Sequence, residues 1–201
     1  MFCLACSMVG WPLCDECGRT LIRAPVRTVG SECSDGSVRV EVIPVYRHSG
    51  AAVRLVHQLK YRGSVGAGRL LARSMIEQLP PATGALVPIP RVFARRVVTG
   101  IDQTAMLASL IAEHSGIPVV SDLRAGVWSP RSAGRDRRRR TPGRFRWTGR
   151  ELSSPLLVDD VCTTGTTLVA AAVAMGLQRA VGLVATSAIP RLASGTEPVF
   201  G

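Results

Sequence analysis

The fold of this chain is decided by the stretch Pro155-Leu-Leu-Val-Asp-Asp-Val-Cys-Thr-Thr-Gly-Thr-Thr-Leu168. It begins as a short apolar run, the pattern of a strand buried on both faces, and it ends where an apolar helix opens. Two aspartates and a turn of small residues lie between them. Such a turn directs backbone N–H groups, threonine hydroxyls and the positive end of a helix at one point, which favours a phosphate. Gly165 would let the backbone approach that anion closely.

The two aspartates need a different role, because carboxylates repel a phosphate. Asp159 and Asp160 are expected beside the anion, where they could accept hydrogen bonds from sugar hydroxyls or help to hold a hydrated Mg²⁺. The simpler interpretation is an ordinary strand and helix joined by an N-capping turn. One threonine would satisfy a cap, whereas this turn has four around one glycine, directly after the aspartates. The pattern therefore favours an anion site.

The rest of the chain predicts strands that alternate with helices, as in a mostly parallel, doubly wound α/β sheet. Two helices are predicted within residues 51–78, and a third after Asp102, which is placed as its N-cap. Residues 38–46 alternate like a half-exposed strand, and Pro44 within them predicts an edge position. No partner is predicted for His48.

The N-terminus carries a C-x2-C-x7-C-x2-C array formed by Cys3, Cys6, Cys14 and Cys17. Two such pairs supply four thiolates, which predicts a closed tetrahedral zinc site. A redox pair is the alternative, but it accounts for only one of the two motifs. Few apolar residues lie in this segment, so the metal would supply much of its folding free energy.

The composition predicts a small N-terminal unit followed by one ordinary domain. Residues 1–24 form the predicted zinc knuckle, residues 25–37 are polar and turn-rich and are interpreted as a linker, and residues 38–201 form the α/β domain. Since 46% of the residues are apolar, the chain can bury a core, which excludes global disorder. Cys33 has no nearby partner and is expected to be a plain thiol.

The net charge of +11 arises from 24 arginines and a single lysine against 14 acidic residues. Such a surface favours polyanions, and the alternative for the scattered arginines is that they reflect genome composition. Residues 131–150 hold nine arginines and one acid, Asp136. One interpretation is a solvated surface loop without a ligand. The other is functional, either as a lid over a polyphosphate or as a nucleic-acid contact, and both interpretations stay open. Trp128, Phe145 and Trp147 are the local candidates for stacking on bases.

The sequence predicts a cytoplasmic protein without a membrane span. The N-terminus lacks the basic and apolar regions of a signal peptide. The longest apolar stretch, residues 168–185, is interrupted by Gln178 and Arg179. Clustered cysteines of this kind suit a metal site in a reducing compartment.

The central stretch resembles the signature of the type I phosphoribosyltransferases, which bind 5-phosphoribosyl-1-pyrophosphate (PRPP). In that family the acidic pair contacts the ribose hydroxyls, and the Thr-Thr-Gly-x-Thr turn holds the 5′-phosphate. The resemblance implies that fold, Mg²⁺ bound with PRPP, and a catalytic role for Asp159 and Asp160. The PRPP-binding residues that it implies are Asp159, Asp160, Val161, Cys162, Thr163, Thr164, Gly165, Thr166 and Thr167.

Further segments resemble the ComF (competence protein F) type of this family. These segments are Leu59-Lys-Tyr-Arg-Gly63, Val87-Pro-Ile-Pro90 and the cysteine array. The resemblance implies candidate pyrophosphate or substrate contacts at Lys60, Arg91, Arg95 and Arg96. Where the family usually has Arg-Gly-Phe-Asn-Gln, this chain has Thr99-Gly-Ile-Asp102-Gln, so a basic residue is lost and an acid is gained. PRPP binding is therefore the primary expectation, and turnover stays open.

The resemblance implies two classes of function. As an enzyme, the protein would displace pyrophosphate from ribose C1 with an acceptor that the sequence does not identify. ComF-type proteins are associated with DNA uptake in naturally transformable bacteria. The alternative is therefore a non-catalytic accessory protein that senses PRPP or binds single-stranded DNA through the knuckle and the arginine loop, with a DNA-uptake or helicase partner.

Overall fold

The computed structural model describes residues 1–33, 36–90, 102–125 and 145–188, without the side chains of residues 32, 33 and 36. The strands are β1 Arg27–Cys33, β2 Gly36–Arg47, β3 Ala85–Pro88, β4 Leu123–Ala125, β5 Phe145–Trp147, β6 Pro155–Cys162 and β7 Arg179–Ser187. The helices are α1 Asp15–Arg19, α2 Gly50–Arg62, α3 Val65–Ile76, α4 Gln103–Ser115 and α5 Thr166–Ala174. The predicted α/β class is confirmed.

The central sheet has five strands in the order β1-β2-β7-β6-β3. Strands β2, β7, β6 and β3 pair in parallel, and β1 is antiparallel at one edge. Strands β4 and β5 form a separate antiparallel pair. The sheet is therefore mostly parallel, as predicted, and the carboxyl ends of β2, β7 and β6 lie side by side.

Two apolar cores lie on opposite faces of the sheet. Helices α2, α3 and α4 pack on one face, against Leu156 and Val158 of β6. Helix α5 and the β4–β5 pair pack on the other face, against Leu157. Because successive strand residues point to opposite faces, this double burial accounts for the uninterrupted apolar run at the start of β6. The aspartates that follow are held at a fixed position between the two cores.

The interpretation of residues 25–37 as a linker is wrong, because β1 occupies most of that range. β1 pairs with β2 from Arg27↔Val42 to Cys33↔Gly36. Backbone hydrogen bonds to β2 stabilise β1, whose polar sequence gives no clear strand pattern. The edge position predicted from Pro44 is also wrong, since β2 lies between β1 and β7. Pro44 is tolerated there because it lies beyond the segment of β2 that pairs with β1.

The predicted helices after β2 and after Asp102 are confirmed. Helix α2 ends at Gly63, whose φ of 58° is left-handed, and α4 ends in the same way at Gly116. The Asp102 side chain accepts a hydrogen bond from the Ala105 backbone N–H and caps α4. In the described part of the chain, no helix is long and apolar enough to cross a membrane.

The cysteine-rich segment packs directly on helix α2. The Thr20 hydroxyl donates to the Cys17 carbonyl at 2.8 Å and accepts from the Ala51 backbone N–H at 3.0 Å. Arg54 of α2 donates to the Cys17 sulfur at 3.3 Å. Cys3 and Cys17 join the same apolar core as the helices on that face. The knuckle is therefore anchored to the α/β domain.

Candidate functional site

Strand β6 delivers its two aspartates and the threonine turn to the start of helix α5. The side chains of Thr163, Thr164 and Thr166 are exposed, and the Thr164 and Thr166 hydroxyls lie 2.8 Å apart. The first helical bond of α5 runs from the Val169 N–H to the Gly165 carbonyl. The backbone N–H groups before Val169 are those that a helix leaves without an intrahelical partner. Exposed hydroxyls and the positive end of a helix therefore converge on this turn, as expected.

Gly165 is required for a reason that the sequence did not disclose. Its φ is +82°, in the left-handed region that favours glycine, and it is buried. A Cβ atom at this position would lie 2.6 Å from Cγ2 of Val29 on strand β1. The predicted reason, close approach to an anion, is therefore not needed to explain the glycine, because packing of the turn against β1 already requires it.

Arg27, within the predicted linker, also contacts this turn. Its guanidinium donates to the Thr163 carbonyl and, at 3.1 Å, to the Cys162 sulfur. Burial raises the pKa of the Cys162 thiol, and the Arg27 charge opposes that rise. Arg27 therefore links β1 to the turn of residues 163–167 and places a positive charge beside it. No short-range signal in the sequence indicates this contact.

Both aspartates are buried, with 9% and 5% of Asp159 and Asp160 exposed. The Asp160 backbone N–H donates to Oδ1 of Asp159 at 2.8 Å. Oδ1 of Asp160 pairs with Nζ of Lys60 at 3.0 Å. The structure thus brings the predicted residue Lys60 to the acidic pair itself.

His48 belongs to the same cluster, although sequence reasoning found no partner for it. Its Nδ1 lies 2.8 Å from the Thr186 hydroxyl, which in turn donates to the Asp160 carbonyl at 3.4 Å. A hydroxyl has only one hydrogen, and that of Thr186 is donated to the Asp160 carbonyl. In this arrangement Nδ1 of His48 therefore carries a proton and donates it to the Thr186 oxygen. Burial lowers the pKa of His48, Lys60 lowers it further, and Asp160 opposes the shift. The neutral form of the His48 imidazole is therefore favoured more strongly than in an ordinary histidine.

The position of His48 could have indicated its role. It follows β2 directly, and its backbone N–H donates to the carbonyl of Ser187 at the end of β7. In an open parallel sheet, side chains just beyond neighbouring carboxyl ends meet at one edge.

Gln103 connects helix α4 to the site. This fully buried side chain donates from Nε2 to the Lys60 carbonyl at 3.2 Å, and its Oε1 has no hydrogen-bond partner among the described atoms. Its neighbour Asp102 is occupied as a helix cap, and its Oδ1 also lies 2.7 Å from the Thr104 hydroxyl, which is at the same distance from the Ile89 carbonyl. The other residues predicted for the pyrophosphate segment, Arg91, Arg95, Arg96 and Thr99, lie outside the described residues.

The four N-terminal cysteines form a cluster that could hold a structural metal such as zinc. All four sulfurs lie within 4.8 Å of one another, and those of Cys6 and Cys14 are 3.7 Å apart. A tetrahedron with metal–sulfur bonds of about 2.3 Å has sulfurs about 3.8 Å apart. The donor set and its spacing therefore fit zinc.

The thiols of this cluster differ in acidity. Burial opposes ionisation of Cys3, but backbone N–H groups at Cys14, Cys6 and Ala5 lower its thiol pKa to about 6. Burial raises the pKa of Cys17 to about 12, although Arg54 donates to its sulfur. A bound divalent cation would offset both the burial and the mutual repulsion of four thiolates.

The fit of Mg²⁺ at the aspartates is conditional on Lys60. Carboxylate oxygens are ligands that Mg²⁺ accepts. Oδ1 of Asp160, however, already pairs with the Lys60 ammonium, and that ammonium would repel a second cation. A metal ion bound directly to Asp160 would therefore compete with Lys60 for that carboxylate.

Two of the three aromatic candidates of the arginine loop lie within the described residues. Phe145 is buried in the second core, and the Trp147 indole donates to the Arg150 carbonyl at 3.2 Å. Trp128 lies outside the described residues. The knuckle exposes Phe2 and Trp11, with 67% and 55% of their surface accessible.

A cleft of about 550 Å³ opens at the opposite, amino-terminal ends of the strands. Arg39, Glu41 and Arg179 are among the residues that line it. None of the residues predicted for the site lines this cleft. The chemistry indicated by the central stretch therefore lies elsewhere, at the carboxyl ends.

No protein-family model matches this chain, and a search of curated proteins finds no match. A functional conclusion therefore rests on the residues themselves. The strongest grouping is the turn after β6 together with Asp159, Asp160, Lys60 and His48.

Proposed function

We propose that this protein binds PRPP, with the 5′-phosphate in the turn of residues 163–167 and the ribose hydroxyls at Asp159 and Asp160. One observation carries the proposal. Exposed threonine hydroxyls and the start of α5 converge in the turn that follows the two buried aspartates in the sequence. This turn lies where the carboxyl ends of neighbouring parallel strands meet. An anion and a polyol are the ligand parts that these two groups suit.

The charges around the turn support the phosphate part of the proposal. The positive end of α5 and the guanidinium of Arg27 both favour a dianion there. The two aspartates precede the turn on β6, and Asp160 is paired with the Lys60 ammonium, which offsets its charge. The whole arrangement supports a type I phosphoribosyltransferase fold of the ComF type.

The reaction that such a site would serve is displacement at ribose C1. The acceptor nitrogen forms a bond to C1, the bond from C1 to the pyrophosphate oxygen breaks, and the acceptor loses its proton. This chain would hold the sugar and its phosphate still while C1 moves, and Mg²⁺ would supply charge stabilisation. In residues 99–102 a basic residue of the family pattern is lost and an acid is gained. The alternative is therefore a protein that binds PRPP without turnover and senses it.

Removal of the threonine hydroxyls tests the proposal. Thr164→Val and Thr166→Val keep the side-chain shape and should each weaken ribose 5-phosphate and PRPP roughly 10- to 100-fold, since a hydrogen bond to a charged group contributes about 1.5–3 kcal/mol. Thr28→Val is the matched control, because Thr28 is also exposed but lies on the amino-terminal cleft. Unchanged calorimetric affinity in both turn variants would overturn the phosphate assignment.

A second candidate function is binding of single-stranded DNA by the knuckle. Exposure of Phe2 and Trp11 favours it, because bases stack on such rings with about 1–3 kcal/mol each. Phe2→Ala and Trp11→Ala should weaken binding of a fluorescent oligonucleotide. Tyr61→Ala, which removes an exposed ring from α2, should not. Equal affinity in all three variants would exclude the knuckle as the contact.

A further inference from the structure

The single lysine of this chain lies in the candidate site. Every other basic side chain, 24 in all, is an arginine. Composition alone would therefore place arginine at almost any basic position. The exception is Lys60, whose ammonium pairs with the buried Asp160.

The contacts of Lys60 fix its backbone and leave its charged end exchangeable. It lies in the last turn of α2, and its carbonyl accepts from the buried Gln103 side chain at 3.2 Å. Its side chain is 22% exposed, whereas that of Asp160 is 7% exposed. The Lys60 side chain therefore reaches solvent, whereas the Asp160 side chain has little surface of its own.

The pair has a consequence for any ligand of Asp160. Sugar hydroxyls or a metal ion at Asp160 would compete with Lys60 for the carboxylate, because the ammonium already pairs with its Oδ1. We propose that Lys60 is an exchangeable counter-cation: it neutralises Asp160 in the ligand-free protein and gives up that carboxylate to the ligand or its metal. This inference rests on the proposed function and concerns the regulation of the same site.

The choice of lysine over arginine supports exchange. An ammonium is a compact point charge whose three donors rotate freely, so it can leave one carboxylate oxygen and stay hydrated or contact another anion. A guanidinium would bind both oxygens in a fixed fork and would be harder to displace. Lys60→Arg should therefore keep the charge balance of the site while weakening ribose 5-phosphate.

The single lysine also makes the inference measurable. Protein labelled with ¹³C at lysine Cε gives one side-chain signal, from Lys60. The chemical shift of this signal in the ligand-free wild-type protein should differ from that in ligand-free Asp160→Asn. The variant gives the chemical shift of an ammonium released from Asp160. Saturating ribose 5-phosphate with Mg²⁺ should move the wild-type signal to the released position. Identical signals in the two ligand-free proteins, or an unmoved signal at calorimetric saturation, would overturn the inference.

Mn²⁺ alone tests the competition without PRPP. Lys60→Gln should bind Mn²⁺ at least about fivefold more tightly than wild type, because a unit charge about 4 Å away is removed. Lys60→Arg, which retains the charge, should not gain affinity. Equal Mn²⁺ affinity in wild type and Lys60→Gln would overturn the exchange. Tighter Mn²⁺ binding without any PRPP binding would instead reject the proposed function and leave the exchange standing.

Discussion

Replacing Gly165 with alanine should destabilise the protein through two separable effects. Its φ of +82° costs a residue with a Cβ about 1–2 kcal/mol. The new Cβ would also lie 2.6 Å from Cγ2 and 2.8 Å from Cβ of Val29, which is overpacking and costs about 1–3 kcal/mol. The expected loss in the free energy of unfolding is therefore roughly 2–5 kcal/mol.

Gly116 provides the matched control for this variant. It has a similar φ of +72°, and a Cβ there would meet nothing within 4 Å. Gly116→Ala should therefore lose only the conformational part, about 1–2 kcal/mol. Urea unfolding of both variants measures the difference, and in a Val29→Gly background the substitution Gly165→Ala should lose the steric part of its cost. Equal losses in the two glycine variants would refute the packing of β1 against the turn.

Three further predictions concern the metal, the arginine loop and pH. Protein purified without added metal should contain one zinc per chain, and a chelator should lower the melting temperature; elemental analysis without stoichiometric metal would contradict the knuckle. Replacing Arg137–Arg140 with serine should flatten the salt dependence of oligonucleotide binding, and an unchanged slope would exclude that loop as the contact. Burial lowers the pKa of His48 in the folded protein below its ordinary 6.5. As the pH falls below about 6.5, the unfolded chain therefore binds more protons than the folded protein does. The free energy of unfolding should decrease over this range, until the pH passes the folded pKa. His48→Asn should reduce that decrease in urea titrations across this range, and an unaltered pH profile would show that His48 does not contribute.

The parts of the fold that the sequence predicted are those with local signals. The apolar run of β6 and the small residues after it are recognisable within a few positions, because burial on both faces excludes polar residues. The N-cap at Asp102 is equally local. The cysteine array predicted a metal site because ligand spacing is itself a short-range pattern.

The parts that escaped prediction depend on contacts between distant residues. Strand β1 is stabilised by pairing with β2, and its polar residues carry little of the apolar alternation by which strands are recognised. Arg27 contacts Cys162 across 135 positions, and His48 contacts Thr186 across 138. Neither partner can be identified until the strand order is known. Lys60 was named from a resemblance, but its partner Asp160 follows only from the way α2 packs onto the sheet.

The most direct test of the central claim is a calorimetric titration of the wild-type protein with PRPP in the presence of Mg²⁺, repeated with ribose 5-phosphate and with inorganic phosphate. The proposed site predicts one PRPP molecule per chain, competition by ribose 5-phosphate for the same site, and much weaker binding of phosphate, which lacks the sugar. Asp159→Asn with Asp160→Asn should weaken PRPP while the protein stays folded. Absence of PRPP binding to the folded wild-type protein, or simultaneous binding of PRPP and ribose 5-phosphate, would contradict the claim.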